Sequence, residues 1–513
     1  MEKSCVTSES YSSTFLYHTM AKIFKTPAVY VEEVSFRSLS IAQVETAIPA
    51  FVGYTEKAEI NGKSALNQAL KVHSLSEFQS FFGGEFSPLF SLAPKTIRDQ
   101  YTISIGIQDY GIALLPFQRA YLFHSVMDYF ANGGRACYVV SVGTYSGKSE
   151  VKIKKEDLLG APTSRIKTQK PKGLKCLEKV LEPTLVIIPD AVALEDQAFE
   201  IFREMLSHCH TQGNRFSILD IPNGYEPRKS GVNCIDQFRN GIGNDYLSFG
   251  AAYYPWLDRA GNQHSLSYKN LDPAVNLSEL LPEPKAQEAL TSNQVSQENI
   301  HLALWSTSLT YQRIIESMAK ILKPSPPSGA IAGIYSQVDS TRGVWKAPAN
   351  VSLSGFEKPS VAISPAEQET LKVDSYSGKS INALRLFPGE GILVWGARTL
   401  AGNDNEWRYV PVKRTALMIK QSTENYLQQF AFEPNDANTW ARIKLSVSDF
   451  LIELWRKGAL FGTKPEHSFF VKIGLGETMT SQDILEGKGI LVVGLALVKP
   501  AEFISLKFEI AFN

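Results

Sequence analysis

The sequence predicts a multidomain α/β protein with mixed α+β regions, and three features of the chain favour that class. The 513 residues are enough for about three domains of average size. A strand–helix–strand pattern over residues 185–221 indicates a parallel strand pair joined by a right-handed crossover. With 44% hydrophobic and 20% charged residues, the composition excludes an intrinsically disordered chain.

Charge and cysteine content exclude several classes of protein. The 52 basic and 52 acidic residues cancel, so the chain lacks the basic excess of a general nucleic-acid binder. The five cysteines, Cys5, Cys137, Cys176, Cys209 and Cys234, are irregularly spaced and contain no CxxC pair, which excludes a disulfide framework and a zinc ribbon. No apolar run reaches 18 residues, so we expect no membrane-spanning helix. We therefore expect no metal, cofactor, nucleic acid or membrane insertion.

The N-terminal half alternates predicted strands and helices. Residues 1–24 begin with a Ser/Thr-rich stretch and are predicted to be a flexible extension. Ser74, Glu77 and the Gly83-Gly84 pair predict a capped helix within 74–86. Residues 144–180, rich in Lys, Gly, Ser and Thr, predict a surface loop. Further predicted elements are strands at 27–34, 47–54, 136–142, 185–188 and 216–221, a turn followed by an aromatic-rich strand within 241–257, and helices at 118–131, 194–212 and 270–322.

The C-terminal half begins at a Pro-rich break. The PSPPSG run at 324–329 predicts an internal boundary. Beyond it, strands are expected at 391–400, 406–412, 489–498 and 503–512, and helices at 413–430 and 438–458. The last strand alternates strictly, with these apolar residues on one face: Ile504, Leu506, Phe508, Ile510 and Phe512.

Two motif types could indicate chemistry, and both are weak. Three Gly-Lys-Ser triplets lack the glycine that a phosphate-binding loop requires five residues earlier, because Lys57, Val142 and Val373 stand there. Asp190 and Asp220 follow strands of the 185–221 unit, where catalytic carboxylates often lie. No nucleophile or cofactor loop accompanies them, so loop capping is favoured over an α/β enzyme.

Strands at both termini suggest a different role. A terminal strand with a strong apolar face is a liability as a free edge, and it is accounted for if it pairs with another subunit. The alternative is that both strands pair within their own chain, and the pattern favours neither.

The sequence resembles the sheath proteins of contractile phage tails and related injection systems. The resemblance includes KTPAVYVEE at 25–33, AQVETAIPAFVGYTE at 42–56 and TRGVWKAPAN at 341–350. Further similar segments follow in the expected order at 133–140, 187–190, 251–256, 393–400, 432–440, 479–483 and 498–504. The sheaths of extracellular, phage-tail-like injection particles are the most similar in character.

The resemblance implies a non-enzymatic structural subunit with four regions. These are an extension (1–24), an N-terminal arm with the first strand of an inner domain (25–60), an outer inserted α/β domain (61–330), and an inner, tube-facing α/β domain (331–513) ending in a C-terminal arm (500–513). It also implies that arm strands join neighbouring subunits. The N-terminal arm residues are Pro27, Val29, Tyr30 and Val31, and the C-terminal arm residues are Phe503, Ile504, Leu506, Phe508, Ile510 and Phe512.

The same resemblance implies partners and a location. Sheath subunits form a helical homopolymer around an inner tube and meet baseplate and tail-terminator proteins. A helix at 446–458 is expected to touch the tube, with Lys444, Arg456 and Lys457 as candidate contacts. We expect assembly in the bacterial cytoplasm and then incorporation into a tail-like particle. A baseplate-proximal or terminal sheath paralogue is the main alternative.

Overall fold

A computed structural model of the chain describes residues 40–96, 101–160, 170–228, 233–261, 266–291, 299–374, 376–498 and 504–511. They belong to one compact unit, Ser40–Asn513. The predicted extension and the N-terminal arm, with Pro27, Val29, Tyr30 and Val31, lie outside the described residues. Phe503 and Phe512 also lie outside them.

The described residues form nineteen strands. In chain order they are β1 (Pro49–Thr55), β2 (Glu59–Ile60), β3 (Lys63–Ser64), β4 (Ala69–Val72), β5 (Phe90–Pro94), β6 (Tyr101–Ile105), β7 (Gln108–Leu114), β8 (Cys137–Thr144), β9 (Leu185–Ile187), β10 (Phe216–Asp220), β11 (Gly250–Tyr254), β12 (Leu257–Arg259), β13 (Pro324–Ser325), β14 (Phe356–Pro359), β15 (Asn382–Phe387), β16 (Gly391–Trp395), β17 (Phe469–Lys472), β18 (Lys488–Leu495) and β19 (Ile504–Ala511).

Fourteen α-helices lie between these strands in the described part of the chain. They are α1 (Leu75–Phe82), α2 (Leu122–Ala131), α3 (Lys155–Leu159), α4 (Ala198–Gln212), α5 (Cys234–Gly241), α6 (Leu277–Leu280), α7 (Pro284–Thr291), α8 (Ile300–Thr307), α9 (Leu309–Leu322), α10 (Ser328–Arg342), α11 (Pro365–Lys372), α12 (Val410–Leu427), α13 (Ala437–Arg456) and α14 (Ser481–Leu485).

An eight-stranded sheet forms the centre, in the order β16-β15-β11-β10-β9-β1-β8-β4. Its inner strands run parallel, whereas the edge strands β16 and β4 are antiparallel to their neighbours. The predicted β9–α4–β10 unit is present, with Leu185 opposite Phe216. All seven residues of β1 are buried, as expected of a strand covered on both faces.

Helices cover both faces of this sheet. On one face, α4 and α5 contribute residues such as Phe202 and Phe238 to a large apolar core. On the other, α2 and α10 contribute Val126 and Ile331 to a second core. Helix α1 joins this second core, and Ser74 accepts a hydrogen bond from the Glu77 amide at its predicted N-cap.

Three expectations from the sequence are corrected by the fold. Strands on both sides of residue 330 form one sheet, so the Pro-rich run does not separate two cores. The segment 144–180 is not only surface loop, because α3 places Leu158 in the core. Residues 406–412 do not form a strand, since α12 begins at Val410 with Pro411 in its first turn.

A peripheral unit packs separately from the sheet. Strands β5, β7 and β6 form an antiparallel sheet in that order. Helices α6 to α9 cover it, and α9 contributes Tyr311, Ile314 and Met318 to their common core. Here the predicted helical region ends at Leu322, immediately before the Pro-rich run.

A C-terminal body completes the molecule. Strands β17, β18 and β19 form an antiparallel sheet against α12 and α13. Buried charges at the start of α12 join this body to the centre, because the Arg414 guanidinium contacts the Asp339 carboxylate of α10, with one nitrogen–oxygen distance of 3.0 Å. Lys413 lies beside it, 3.7 Å from the centre of the Phe249 ring.

The contact between α2 and α10 predicts an unusual effect of alanine. A Cβ atom on Gly329 would lie 2.1 Å from the Ser125 carbonyl oxygen. Gly-to-Ala inside a helix normally stabilises a protein by about 1 kcal/mol. We expect Gly329→Ala instead to lower the free energy of unfolding by about 1–3 kcal/mol, because α10 must move away from α2. Urea denaturation measures this change.

Gly474→Ala is the matched control. Its new Cβ would have no neighbouring atom closer than 3.8 Å, so we expect a change within about 0.5 kcal/mol. Equal stability of the Gly329→Ala and wild-type chains would show that the helices do not approach so closely.

Candidate inter-subunit surfaces

The C-terminal strand pairs within its own chain in this structure. β19 lies antiparallel to β18 over its whole length, with Leu491 opposite Phe508 and Val492 opposite Lys507. The sequence left open whether this strand pairs internally or with a neighbour, and β18 is the internal partner. Residues 496–503 connect the two strands.

The described side chains of β19 follow the predicted alternation. Phe508 and Ile510 are buried in the core of the C-terminal body. Lys507 and Glu509 are exposed on the other face, with their charged atoms 3.0 Å apart. The side chains of Ile504 and Leu506 lie outside the described part of the strand. The strand is therefore attached to the body through its apolar face.

The candidate tube-contact helix is α13. Asp436 caps its first turn by accepting a hydrogen bond from the Thr439 amide at 2.8 Å. Ile443, Val447 and Leu454 lie on its buried face, against the C-terminal sheet. Leu445 lies off this stripe and is 57% exposed.

The three basic candidates do not form one cluster. Lys444 lies 4.0 Å from the Glu477 carboxylate, and Lys457 pairs with Glu453 one helical turn away at 2.6 Å. The two lysines are about 20 Å apart along the helix axis. At 100° per residue, only Arg456 shares the outward direction of Leu445. Contact with a tube remains a prediction for all three.

Sequence reasoning missed several exposed apolar side chains of the C-terminal body. Their exposure distinguishes them from ordinary core residues, and the set comprises Phe432, Leu445, Phe461, Leu475, Leu485 and Val498. Only Leu445 had a signal in the sequence, since it departs from the helical spacing of the α13 apolar stripe. The others lie in loops or short elements, where apolar periodicity gives no guidance.

Asp190 is a structural carboxylate. It is fully buried and accepts hydrogen bonds from the Tyr54 amide at 2.7 Å and the Tyr121 amide at 2.6 Å. Burial raises its pKa to about 6 despite those hydrogen bonds. These contacts tie β1 and the start of α2 to the turn after β9, which agrees with the capping role favoured from the sequence.

Asp220 has a similar role at the end of β10. Its carboxylate accepts hydrogen bonds from the Ser328 amide, at 2.9 Å, and from the Ser328 hydroxyl. It therefore caps the N-terminus of α10. Burial raises its pKa to about 7. With both carboxylates occupied by backbone groups, their geometry gives no support to the enzyme alternative.

Metal-binding clusters and membrane-spanning helices are two further kinds of feature that would indicate function in the described residues. Within the ranges given above, no three His, Cys, Asp or Glu side chains come together as a metal site. In the same ranges, no helix is both long and apolar enough to cross a bilayer.

Comparisons with known proteins find similarity to tail sheath proteins. Residues 402–511, which include α12, α13 and the C-terminal sheet, match the phage tail sheath C-terminal domain. A tail sheath protein of Burkholderia phage BcepMu is 27% identical over 169 residues, which is 32% of this chain and 33% of that protein. The matched segment thus spans only a third of this relative.

Solved structures extend the likeness to nearly the whole chain. The contracted sheath complex of an extracellular contractile injection system, PVC, superposes with a TM-score of 0.57 at 26% identity, covering 95% of this chain and 98% of that one. A chain of the anti-feeding prophage baseplate gives the same TM-score and identity, covering 95% and 99%.

The role of Asp220 predicts a pH dependence of stability. Its folded pKa, about 7, lies above the value near 3.9 that is typical of an unfolded chain. The folded state therefore holds this proton more tightly. The stability gained is complete below about pH 4 and is lost as the pH rises through 7. We expect Asp220→Asn, which cannot ionise, to show a smaller fall in melting temperature between pH 4.5 and 7.5 than the wild type.

Asp449→Asn is the matched control, since Asp449 is exposed on α13. It should reproduce the wild-type dependence on pH. An Asp220→Asn profile identical to that control would show that the Asp220 carboxyl titrates alike in the folded and unfolded chain.

Proposed function

We propose that this chain, which belongs to the contractile tail sheath family, polymerises around an inner tube and contracts to drive that tube through a target envelope. The likeness to the PVC sheath over 95% of the chain carries this proposal. The outer strand β19 is also suited to linking subunits. The work comes from packing between subunits, so no cofactor or bond chemistry is needed.

Exchange of β19 between subunits would connect the polymer. The apolar contacts of Phe508 and Ile510 and the full register on β18 can be made equally well by the strand of a neighbouring chain. Ala496 and Leu497 are bonded to the C-terminal body, which leaves residues 498–503, roughly 20 Å when extended, to carry the strand to a neighbour. In the same proposal, residues 26–34 add a further strand through the N-terminal arm.

Contraction would be a change between two packings of the same subunits. Close-packed interfaces switch between discrete arrangements rather than deforming continuously. An extended sheath held by its assembly on the tube would release free energy when subunits rotate and bury more surface. The exchanged strands would then keep the lattice connected during that movement.

The C-terminal body is proposed to face the tube. Leu445 and Arg456 on α13 offer an apolar and a cationic group on one outward face. The peripheral unit, built from segments around 90–114 and 266–322, would then lie on the outer surface. This refines the inner and outer regions expected from the sequence, because the central sheet contains strands of both.

A baseplate-proximal sheath paralogue remains the second candidate. The equal TM-score and identity to the anti-feeding prophage baseplate chain support it. Both candidates assemble with tube, baseplate and terminator proteins, and for both we propose assembly in the cytoplasm before incorporation into the particle. Formation of long polymers by the chain alone would favour the main sheath.

A double-cysteine variant tests strand exchange directly. Val492 and Lys507 are directly opposed in the pairing of β18 with β19, and neither is fully buried, so Val492→Cys with Lys507→Cys places two thiols within disulfide distance. The variant is made in a Cys5→Ser chain, assembled, checked by negative-stain electron microscopy and then oxidised. Exchange predicts a ladder of covalent oligomers on a non-reducing gel.

The single variant Lys507→Cys controls for random cross-linking, and unassembled chain controls for the internal pair. Hollow tubes that give only cross-linked monomer would contradict strand exchange but not the sheath function. Compact particles alone, even with the tube protein present, would contradict the sheath function itself.

Tube contact is tested by charge reversal on α13. We expect Arg456→Glu to weaken co-sedimentation of sheath with tube protein about tenfold, because it puts a negative charge on the proposed contact face. The free energy of unfolding should fall by no more than about 1 kcal/mol, since the side chain is exposed and only the favourable charge in the last turn of α13 is lost.

Lys323→Glu is the matched control on the surface of the peripheral unit, where Lys323 pairs with the exposed Glu357. It should leave tube binding unaltered. Normal co-sedimentation of Arg456→Glu would exclude Arg456 as a tube contact.

A further inference from the structure

A cavity of about 410 Å³ lies at the carboxyl edge of the central sheet. Segments that follow three neighbouring strands line it, with Glu195 after β9, Asn223 after β10 and Trp256 after β11. In open parallel sheets this edge is where ligands bind. The volume lies within the range of small-molecule sites.

Aromatic rings form one wall of the cavity. The Trp256 ring centre lies 5.5 Å from that of Tyr121 and 5.2 Å from that of Tyr225. The indole N–H donates to the Ile221 carbonyl at 2.8 Å. A Cβ at Gly224 would lie 2.6 Å from the indole, so the backbone seats the ring closely. The rings meet edge to face, at interplanar angles of 81° and 60°, so the wall is aromatic and fixed in position.

A cationic side chain, Arg119, lies against this wall. The Arg119 guanidinium lies 5.6 Å from the Tyr225 ring centre and donates to the Tyr121 hydroxyl at 2.8 Å. The neighbouring groups that act electrostatically on it are tyrosines. Among the residues that the structure describes, it forms no ion pair with a carboxylate within 4.0 Å. A guanidinium has five N–H donors arranged to bind a carboxylate, so Arg119 keeps donors for a ligand besides the one that bonds Tyr121.

The backbone around the cavity has a positive φ at three non-glycine residues. Phe117, Glu195 and Asn223 all line it, and they have φ angles of 60°, 49° and 54°. Positive φ is uncommon for a bulky side chain such as Phe117. The Phe117 carbonyl is held by the Val151 amide at 2.8 Å, and Gln118 bridges to the Leu89 amide and the Ser149 carbonyl. Strain that is held in place in this way clusters at functional sites.

We infer that this cavity binds a carboxylate carried on a flat apolar group. The guanidinium pairs with the carboxylate, and the half-buried Tyr225 ring beside it contacts the apolar group. The source is either a small aromatic acid or an acidic residue beside an aromatic one in a segment of another chain. The inference does not rest on the sheath function.

Calorimetric titration of the full chain tests the site. The probe is 2-naphthoate, and 2-naphthalenemethanol offers the same ring without charge. We expect the acid to bind about tenfold more tightly than the alcohol, because only the acid meets Arg119. In Arg119→Gln the affinity for the acid should fall about tenfold and match that for the alcohol.

Lys152→Gln is the matched control, since this nearby exposed lysine is paired with Glu150 at 2.7 Å. It should bind the acid normally. Arg119→Lys provides a second variant if Arg119→Gln fails to fold, and we expect its affinity to be intermediate. Equal binding of acid and alcohol to the wild type, or no binding of either, would overturn the inference.

Assembly in the presence of saturating 2-naphthoate distinguishes the two sources. Inhibited polymerisation of the wild type, with no effect on Arg119→Gln, would identify a segment of a neighbouring chain as the occupant. Unchanged polymerisation together with tight binding would identify a free aromatic acid. If the chain does not polymerise even without 2-naphthoate, that result contradicts the sheath function, whereas the binding inference is still decided by the calorimetric titration.

Discussion

The rest of this structure depends on one constraint, that a mainly parallel sheet must be covered on both faces. Every residue of β1 is buried, so helices must pack above and below it. Helices α4 and α5 cover one face, and α2 and α10 cover the other. The covering is close, because Gly329 leaves no room for a methyl group between α10 and α2. The C-terminal body and the peripheral unit are attached to this covered centre.

Burying the sheet also buries the polar ends of its strands and helices, and carboxylates satisfy them. Asp190 accepts hydrogen bonds from the backbone amides of Tyr54 in β1 and Tyr121 at the start of α2. Asp220 accepts one from the Ser328 amide at the start of α10. The two acids at strand ends therefore serve the fold. Asp190 also has a second consequence, because by holding the Tyr121 amide it fixes one ring of the aromatic cavity wall.

The C-terminal body relates the fold to assembly. β19 is an outer strand of a small sheet and is held by apolar side chains and by pairing with β18. Such a strand can leave its own chain and bind an identical site with little change in contacts. By contrast, the buried contact of Arg414 with Asp339 fixes α12 to the centre, so in the proposed exchange only the strand changes partner and the body stays in place.

The sequence by itself determined the local elements, because their signals lie within a few residues. Ser74 and Glu77 marked α1, apolar runs marked β9 and β10, and strict alternation marked β19. Ordered segments along the chain also indicated the family. Only the tertiary structure decided which strands are neighbours, so that β15 joins β11 across the Pro-rich run and β19 meets β18. It also separated Lys444 from Lys457 and assembled a cavity from segments far apart in the chain. Such placements depend on contacts between residues far apart in the chain, which local periodicity does not encode.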